Sequence, residues 1–249
     1  MKAMVLAAGL GTRLRPLTDH RPKALVEVAS RTLLEITLTR LRSFGVTEAI
    51  VNVHHFADMV IDYLHANSNF GMRIEISQED VLLDTGGGLK KAAWFFLEDP
   101  RNQNKPFLLH NVDVISSIDL GRLMQVHKEN QSLATLAVQK RESSRQLLFD
   151  GRAQLCGRRA GCDREPEIAC TAPKLEPLAF SGIHVISPRL LEVMTEDGVF
   201  SIIDTYLRLA RQGEKISAFR ADEYYWRDLG KPESVVLAAR DWREGAFRH

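Results

Sequence analysis

The stretch Ala3-Met4-Val5-Leu6-Ala7-Ala8-Gly9-Leu10-Gly11-Thr12-Arg13-Leu14-Arg15-Pro16-Leu17-Thr18, with Pro22-Lys23 a few residues on, decides how the rest of the chain is read. Ala3–Ala8 is a short apolar run closed by Gly9-Leu10-Gly11, which reads as a buried strand entering a glycine loop. Glycines after a strand let the backbone approach a ligand and expose N–H groups, which suits phosphate. Thr12 adds a hydroxyl donor, and Arg13, Arg15 and Lys23 crowd positive charge into the same loop. Such a loop can hold a triphosphate and neutralise a pyrophosphate leaving group. Two familiar phosphate loops do not fit. The dinucleotide fingerprint needs a third glycine where Leu14 stands, and a Walker A loop needs Gly-Lys-Ser/Thr where Gly11 is followed by Thr12-Arg13.

Beyond this loop, strand-like and helix-like runs alternate. Helical spacing covers Thr32–Phe44, with Gly45 placed as a cap, and Ala57–Ala66. Ala49–Val53 and Met72–Ser77 read as strands, and Gly86-Gly87-Gly88 opens a helix through Phe96. Pro106–His110 is a strand ending at Asn111-Val112-Asp113; Leu120–Glu129 is helical and Leu133–Gln139 a strand. This alternation predicts βαβ units and a three-layer α/β/α, doubly wound, Rossmann-like fold with a mixed, mainly parallel sheet. Ligands of such folds bind beyond the carboxyl ends of the strands.

The second half changes character. Arg141–Pro177 contains Gly151, Gly157, Gly161, Pro166 and Pro173 and all three cysteines, and reads as a surface hairpin plus an irregular excursion. Ala179–Ile186 resumes as a strand. Helices are expected at Pro188–Met194, Ile202–Arg211 and Pro232–Trp242, the last with Pro232 in its first turn, and a strand at Lys215–Arg220. No internal repeat or linker interrupts the 249 residues, so a single domain is expected.

Lys plus Arg is 33 and Asp plus Glu is 32, a net charge of +1. That balance argues against nucleic acid or an anionic membrane as the main partner, since both attract a positive excess. Three cysteines are too few for a disulfide scaffold and point to free thiols and a reducing compartment. The N-terminal apolar run is too short for a signal sequence, and no stretch of 18 apolar residues occurs; a cytoplasmic location follows as the expectation.

The run Gly9-x-Gly11-Thr12-Arg13-Leu14-x-Pro16-Leu17-Thr18 with Pro22-Lys23 resembles the signature of the sugar-1-phosphate nucleotidyltransferases, or nucleotide-sugar pyrophosphorylases. The resemblance extends along the chain. Asp84-Thr85-Gly86-Gly87-Gly88-Leu89 is similar to the family's segment against which the nucleobase lies, with Asp84 in the place of a glycine and Gln78 or Glu79 upstream as a base-contacting side chain. His110-Asn111-Val112-Asp113 resembles the family's Asn-Gly-Asp, and Trp226-Arg227-Asp228-Leu229-Gly230-Lys231-Pro232 its Trp-x-Asp-x-Gly-Thr-Pro. Phe180-Ser181-Gly182-Ile183-His184 is similar to the strand that lines the sugar pocket.

The resemblance implies a nucleotide-side half of about residues 1–115 and a sugar-phosphate half of about 116–249. Leu6, Ala8, Gly9, Gly11, Thr12, Arg13, Glu79, Thr85 and Gly86 would bind the nucleotide, and Asn111, Ser181 and Gly182 the sugar phosphate. Arg13 and Lys23 would be catalytic, and Asp113 and Asp228 would hold Mg²⁺, with Mn²⁺ as a substitute. The partners implied are an NTP and a sugar 1-phosphate, the enzyme being a monomer or homo-oligomer. A sugar 1-phosphate is already anionic near neutral pH, its second pKa lying near ~6. It needs no general base; alignment and charge neutralisation suffice for in-line attack on the nucleotide α-phosphorus.

Ala7-Ala8-Gly9 resembles members that use UTP with an amino-sugar or hexose 1-phosphate, and the compact layout those acting on N-acetylmuramate 1-phosphate. GTP-using mannose- or heptose-1-phosphate guanylyltransferases share most of these residues. A non-catalytic relative that senses nucleotide sugars and a nicotinamide-dependent dehydrogenase are the readings from other classes. The first would be favoured by loss of Arg13, Lys23, Asp113 or Asp228, all present; the second lacks its third glycine. Other features carry bland readings. His54-His55 has no metal-ligand spacing, Cys156, Cys162 and Cys170 do not form a zinc pattern, Arg141–Arg145 and Arg158-Arg159 read as solvated before they read as a lid contacting a sugar or phosphate, and Phe95-Phe96 as core.

Overall fold

The computed structural model describes residues 1–98, 104–161 and 165–247. It opens on β1 (Lys2–Leu6), in which Ala3, Met4 and Val5 are all fully buried, as a strand covered on both faces requires. The hairpin β2 (Glu27–Val28) and β3 (Arg31–Thr32) leads into α1 (Leu33–Ser43). Thr32 caps that helix by accepting the Glu35 N–H at 3.0 Å. β4 (Glu48–Val53), α2 (Ala57–Ala66) and β5 (Arg73–Gln78) follow. The single helix expected over Gly86–Phe96 is two, α3 (Asp84–Lys91) and α4 (Ala93–Leu97), which part at Ala92. Next come β6 (Phe107–Asn111), β7 (Val114–Ser116), α5 (Leu120–Asn130) and β8 (Ala134–Gln139). β9 (Arg145–Phe149), β10 (Leu155–Ala160), β11 (Glu167–Ile168) and β12 (Glu176–Ile186) make up the excursion and its exit. The chain closes with α6 (Arg189–Glu192), α7 (Ile202–Arg211), β13 (Ile216–Arg220), β14 (Trp226–Asp228) and α8 (Pro232–Arg243).

The main sheet runs β11-β10-β9-β12-β6-β1-β4-β5, and β8 pairs with both β12 and β13. β1 lies parallel between β4 and β6, β5 continues parallel to β4, and β13 is parallel to β8. β12 is the pivot: it pairs antiparallel with β6, β8 and β9. The sheet is therefore mixed, with parallel pairing concentrated in the nucleotide-side half and antiparallel pairing around β12. Met4, Ile50 and Leu109 project into one apolar cluster with Phe95, Phe96 and Tyr206; Ala3, Val5, Val51 and Leu108 project into another with Leu34, Leu38, Leu64 and Leu123. Helices thus cover both faces, as the three-layer expectation has it.

Two expectations for the second half change. The expected hairpin is β9–β10, and the excursion beyond it adds a further short antiparallel strand, β11, to the sheet. Cys156 and Cys170 are joined by a disulfide, with Cα atoms 4.6 Å apart, so these two are not free thiols. Strand pairing brings them together: the Cys156 carbonyl accepts the Ala169 N–H at 2.7 Å. The cysteine argument for a reducing compartment falls with that finding, because linear spacing carries no record of the pairing. Cys162 lies outside the described residues. Among the described residues, no helix is long and apolar enough to cross a membrane.

Candidate active site

β1 delivers its loop at the carboxyl edge of the parallel strands. Gly11 stands at φ +65°, and a Cβ there would come within 2.9 Å of Thr18 Cγ2. Its carbonyl accepts both the Thr18 hydroxyl and the Leu14 N–H at 2.8 Å, so the loop is folded back on itself. Leu6 is half-buried and Ala8 buried, while Gly9, Thr12 and Arg13 are exposed. A Cβ on Gly9 would meet nothing within 4 Å, so the fold itself does not require glycine there.

The loop is braced from beneath. Asn52, at the carboxyl end of β4, accepts the Ala7 N–H at 2.7 Å and donates to Glu79 Oε1 at 2.7 Å; Glu79 Oε2 accepts the Leu83 N–H at 2.9 Å. Glu79 is only 2% exposed. Its carboxylate is taken up by the brace, and Gln78 is the exposed one of the pair. Sequence reading missed Asn52, although one amide within the apolar strand Ala49–Val53 was a signal.

The start of α3 differs from expectation. Gly86 N–H donates to the Phe200 carbonyl at 2.9 Å, and Thr85 Oγ1 accepts the Ile202 N–H at 3.0 Å. A Cβ on Gly86 would lie 2.4 Å from the Phe200 ring, and one on Gly87 2.3 Å from the Gly198 carbonyl. The glycines here let residues 198–200 close onto the helix, so the Gly86 N–H is satisfied within the chain rather than presented to a base edge. Asp84 occupies the place of a family glycine and keeps a left-handed backbone, φ +58°, while its carboxylate accepts the Thr85 N–H at 2.6 Å. Asp tolerates this region better than most residues.

Asp113 and Asp228 do come together. β7 and β14 form a two-stranded antiparallel sheet that sets Asp228 opposite Val114, and the Leu229 N–H donates to the Asp113 carbonyl at 2.8 Å. The Asp113 carboxylate accepts a short bond from the Lys23 ammonium, both side chains being largely buried. Asp228 Oδ1 accepts the Gly230 N–H at 2.9 Å. A Cβ on Gly230 would lie 2.7 Å from Arg13 Nη2 and 2.8 Å from Asp228 Oδ1, so the guanidinium and the carboxylate flank the same point. Among the described residues, no three His, Cys, Asp or Glu side chains gather as a metal cage. Two hard carboxylates alone suit a cation that takes phosphate oxygens and water for its other ligands.

On the other side of Asp228 lies β12. Gly182 stands at φ +73°, and a Cβ there would be 2.9 Å from Val114 Cγ2 and 3.0 Å from Asn111 Nδ2. The pairing of β12 with β8 shifts register between Phe180 and His184, which is the bulge that Gly182 permits. The Ser181 carbonyl accepts the Trp226 Nε1–H at 2.8 Å, and the buried Ser181 hydroxyl has no partner among the described residues. Arg141, read from sequence as solvated, is half-buried here. Its guanidinium carbon sits 3.6 Å from the centre of the Trp226 ring, and its Nη2 donates to the Phe180 carbonyl at 2.8 Å. Burial pushes its pKa down while the charge of Asp228 pushes it up. The signal available in sequence was position, since Arg141 follows β8, whose carboxyl end points the same way as that of β1.

Other features behave as read. His54 hydrogen-bonds the Glu79 carbonyl at 2.8 Å, and Phe95 and Phe96 are core. Val112, in the place of a family glycine, is buried and its N–H donates to the Leu6 carbonyl at 3.1 Å. Arg158, in contrast to the solvated reading, is half-buried and paired with Glu167 and Asp204, which β11 and α7 bring to it.

Residues 2–147 match the protein family described as Nucleotidyl transferase. Over 244 residues the chain is 36% identical to the N-acetylmuramate alpha-1-phosphate uridylyltransferase of Caulobacter vibrioides, covering 95% of this chain and 94% of that protein. It is 26% identical over 252 residues to the UTP–glucose-1-phosphate uridylyltransferase of Synechocystis sp., covering 96% of this chain but 63% of that protein. The fold is similar to that of HddC from Yersinia pseudotuberculosis, in a crystal complexed with GMP-PN, with a TM-score of 0.75 at 21% identity over 97% of this chain and 99% of that one.

Proposed function

The chain belongs to the nucleotidyl transferase family, as a sugar-1-phosphate nucleotidyltransferase, and from that premise we propose that it joins UTP to an amino-sugar or hexose 1-phosphate and releases pyrophosphate. The observation that carries the reading is the β7–β14 pairing, which sets Asp228 beside Asp113 with Lys23 and Arg13 at hand. The preference for UTP is supported by Ala7-Ala8-Gly9 and by the 36% identical relative, whose name is that of a uridylyltransferase. One sheet joining both halves supports a single domain.

The sugar-phosphate oxygen attacks the α-phosphorus, and the bond from that phosphorus to the bridging oxygen of the β-phosphate breaks. The electron pair leaves with pyrophosphate, and one phosphoanhydride replaces another, so the reaction is reversible. The obstacle is repulsion between anions, which positioned cations relieve. The glycine loop, with Leu6, Ala8, Gly9, Gly11 and Thr12, holds the nucleotide; Arg13 neutralises the departing pyrophosphate; Lys23 exchanges its contact with Asp113 for a phosphate oxygen. Asn111, Ser181 and Gly182 border the sugar. Asp113 and Asp228 fit Mg²⁺, or Mn²⁺ in its place, and such an ion supplies charge neutralisation for the phosphates when bound.

The test is pyrophosphate release from a panel of NTPs and sugar 1-phosphates with Mg²⁺. Release with UTP and not GTP is expected; release with GTP alone would replace the uridylyl reading by a guanylyl one. Nucleotide binding without release for any pair would leave only a sensor.

A further inference from the structure

Two guanidinium groups border the strand that carries Asp228. Arg13 reaches it across Gly230 from the nucleotide loop. Arg141 sits over the Trp226 ring of the same strand. The Trp226 ring is fixed by its own bond to the Ser181 carbonyl, and Arg141 by its bond to the neighbouring Phe180 carbonyl. Two consecutive carbonyls of β12 thus set the stack beside the Gly182 bulge.

This arrangement exceeds what folding requires. A guanidinium has five N–H donors, and among the described residues Arg141 hydrogen-bonds through Nη2 alone. Its Nε–H is buried without a partner. A buried donor left unmatched is costly, and the rest of this half-buried head keeps N–H groups open to a partner. The ring beneath it belongs to Trp226, two residues before Asp228 on β14, and the family reading puts Asp228 where the two phosphates meet. A planar, stacked guanidinium is suited to a tetrahedral oxyanion.

Resting on that reading, we propose that Arg141 binds the phosphate of the sugar 1-phosphate, with Trp226 as the platform that holds the guanidinium in place. The two substrates then have one arginine each. Arg13 serves the phosphates that leave, and Arg141 the phosphate that attacks.

The experiment compares wild type, Arg141→Ala and Arg141→Lys by pyrophosphate release and by calorimetric titration with glucose 1-phosphate and glucuronate 1-phosphate, the protein being preloaded with α,β-methylene-UTP and Mg²⁺. Arg141→Ala should weaken both sugar phosphates about 10- to 100-fold, the worth of hydrogen bonds to a charged group. The KM for UTP should stay within about twofold, and Arg141→Lys should recover part of the loss, since it keeps the charge without the fork. A loss confined to glucuronate 1-phosphate would overturn the proposal, because the arginine would then read a carboxylate. Equal weakening of UTP, or a fall in melting temperature with unchanged sugar-phosphate binding, would overturn it in favour of a structural role. If wild type binds sugar phosphate through Arg141 but releases no pyrophosphate with any NTP, the transferase reading falls and the binding role stands.

Discussion

The ammonium of Lys23 is bonded to the carboxylate of Asp113 across 90 residues of sequence. The pair links the glycine loop to the strand that β14 completes. It is largely buried, so each partner satisfies a charge the other would leave exposed to a poor environment. Lys23→Met should cost about 3 kcal/mol in urea unfolding, because Asp113 is left unpaired, and adding Asp113→Asn should restore much of it. Asp113→Asn alone should lower Mg²⁺-dependent turnover by about 100-fold or more while the chain stays folded, as expected for a lost electrostatic group. Full activity of that variant would refute the metal assignment.

Gly9 and Gly86 separate ligand from fold. A Cβ at Gly9 has open space, whereas one at Gly86 meets the Phe200 ring at 2.4 Å. Gly9→Ala should therefore leave stability within about 0.5 kcal/mol, and a raised KM for UTP in that variant reports a ligand that comes close to the backbone. Gly86→Ala should lose about 1–3 kcal/mol through overpacking. Equal stability losses in the two variants, followed by circular dichroism, would contradict this division.

Glu79 supports the loop through Asn52, and a side chain so engaged is expected to act on stability and not on choice of base. Glu79→Ala should destabilise by about 1–3 kcal/mol, since it leaves a buried amide and the Leu83 N–H without their acceptor. Selectivity across an NTP panel should be unchanged. A switch in preferred base would put Glu79 back among the specificity residues.

Acid should weaken the fold through its buried histidines. His127 sits between Thr135 and Ser187 hydroxyls at 2.9 and 3.0 Å, and burial, helped by the charge of Lys128, pushes its pKa from 6.5 down to about 4. The unfolded chain takes up that proton below 6.5 while the folded chain refuses it until about 4. Stability is therefore full above pH 6.5 and falls as pH drops toward 4, by about 3 kcal/mol for this residue. His184, beside the Tyr206 hydroxyl at 2.7 Å, is pushed down by burial to about 3 and acts in the same sense. Urea melts at several pH values should be flatter between pH 6.5 and 4 for His127→Gln.

The disulfide makes a counting prediction. Of the 3 cysteines, one should react with a thiol reagent in denaturant before reduction and all 3 after it. Reduction should cost about 3 kcal/mol for a loop of this size.

Legibility differed by region for physical reasons. β1, α1, α2 and α7 were plain because periodicity is local, and Ala57–Ala66 and Ile202–Arg211 emerge with the bounds read from sequence. The approach of Asp228 to Asp113 was legible only through motif resemblance; no local pattern encodes the pairing of β7 with β14. The burial of Glu79 and of Arg141 was not legible because it depends on neighbours distant in sequence, Asn52 for one, Trp226 and Phe180 for the other. The disulfide was missed for the same reason, as strand register and not cysteine spacing sets it.

The late position of β14 has a consequence for synthesis. The glycine loop, its Asn52–Glu79 brace and the Lys23–Asp113 pair are all encoded before residue 115, and the nucleotide-side half has its strands β1, β4, β5 and β6 to hand as it leaves the ribosome. Asp228 arrives only after β13, on a strand whose partner β7 has waited through more than a hundred residues of translation. A nascent chain halted before Trp226 thus carries a phosphate loop without its second acid. The last strand to emerge works as a safety catch: Asp228 joins the strand beside Asp113 only after everything up to β13 has been made.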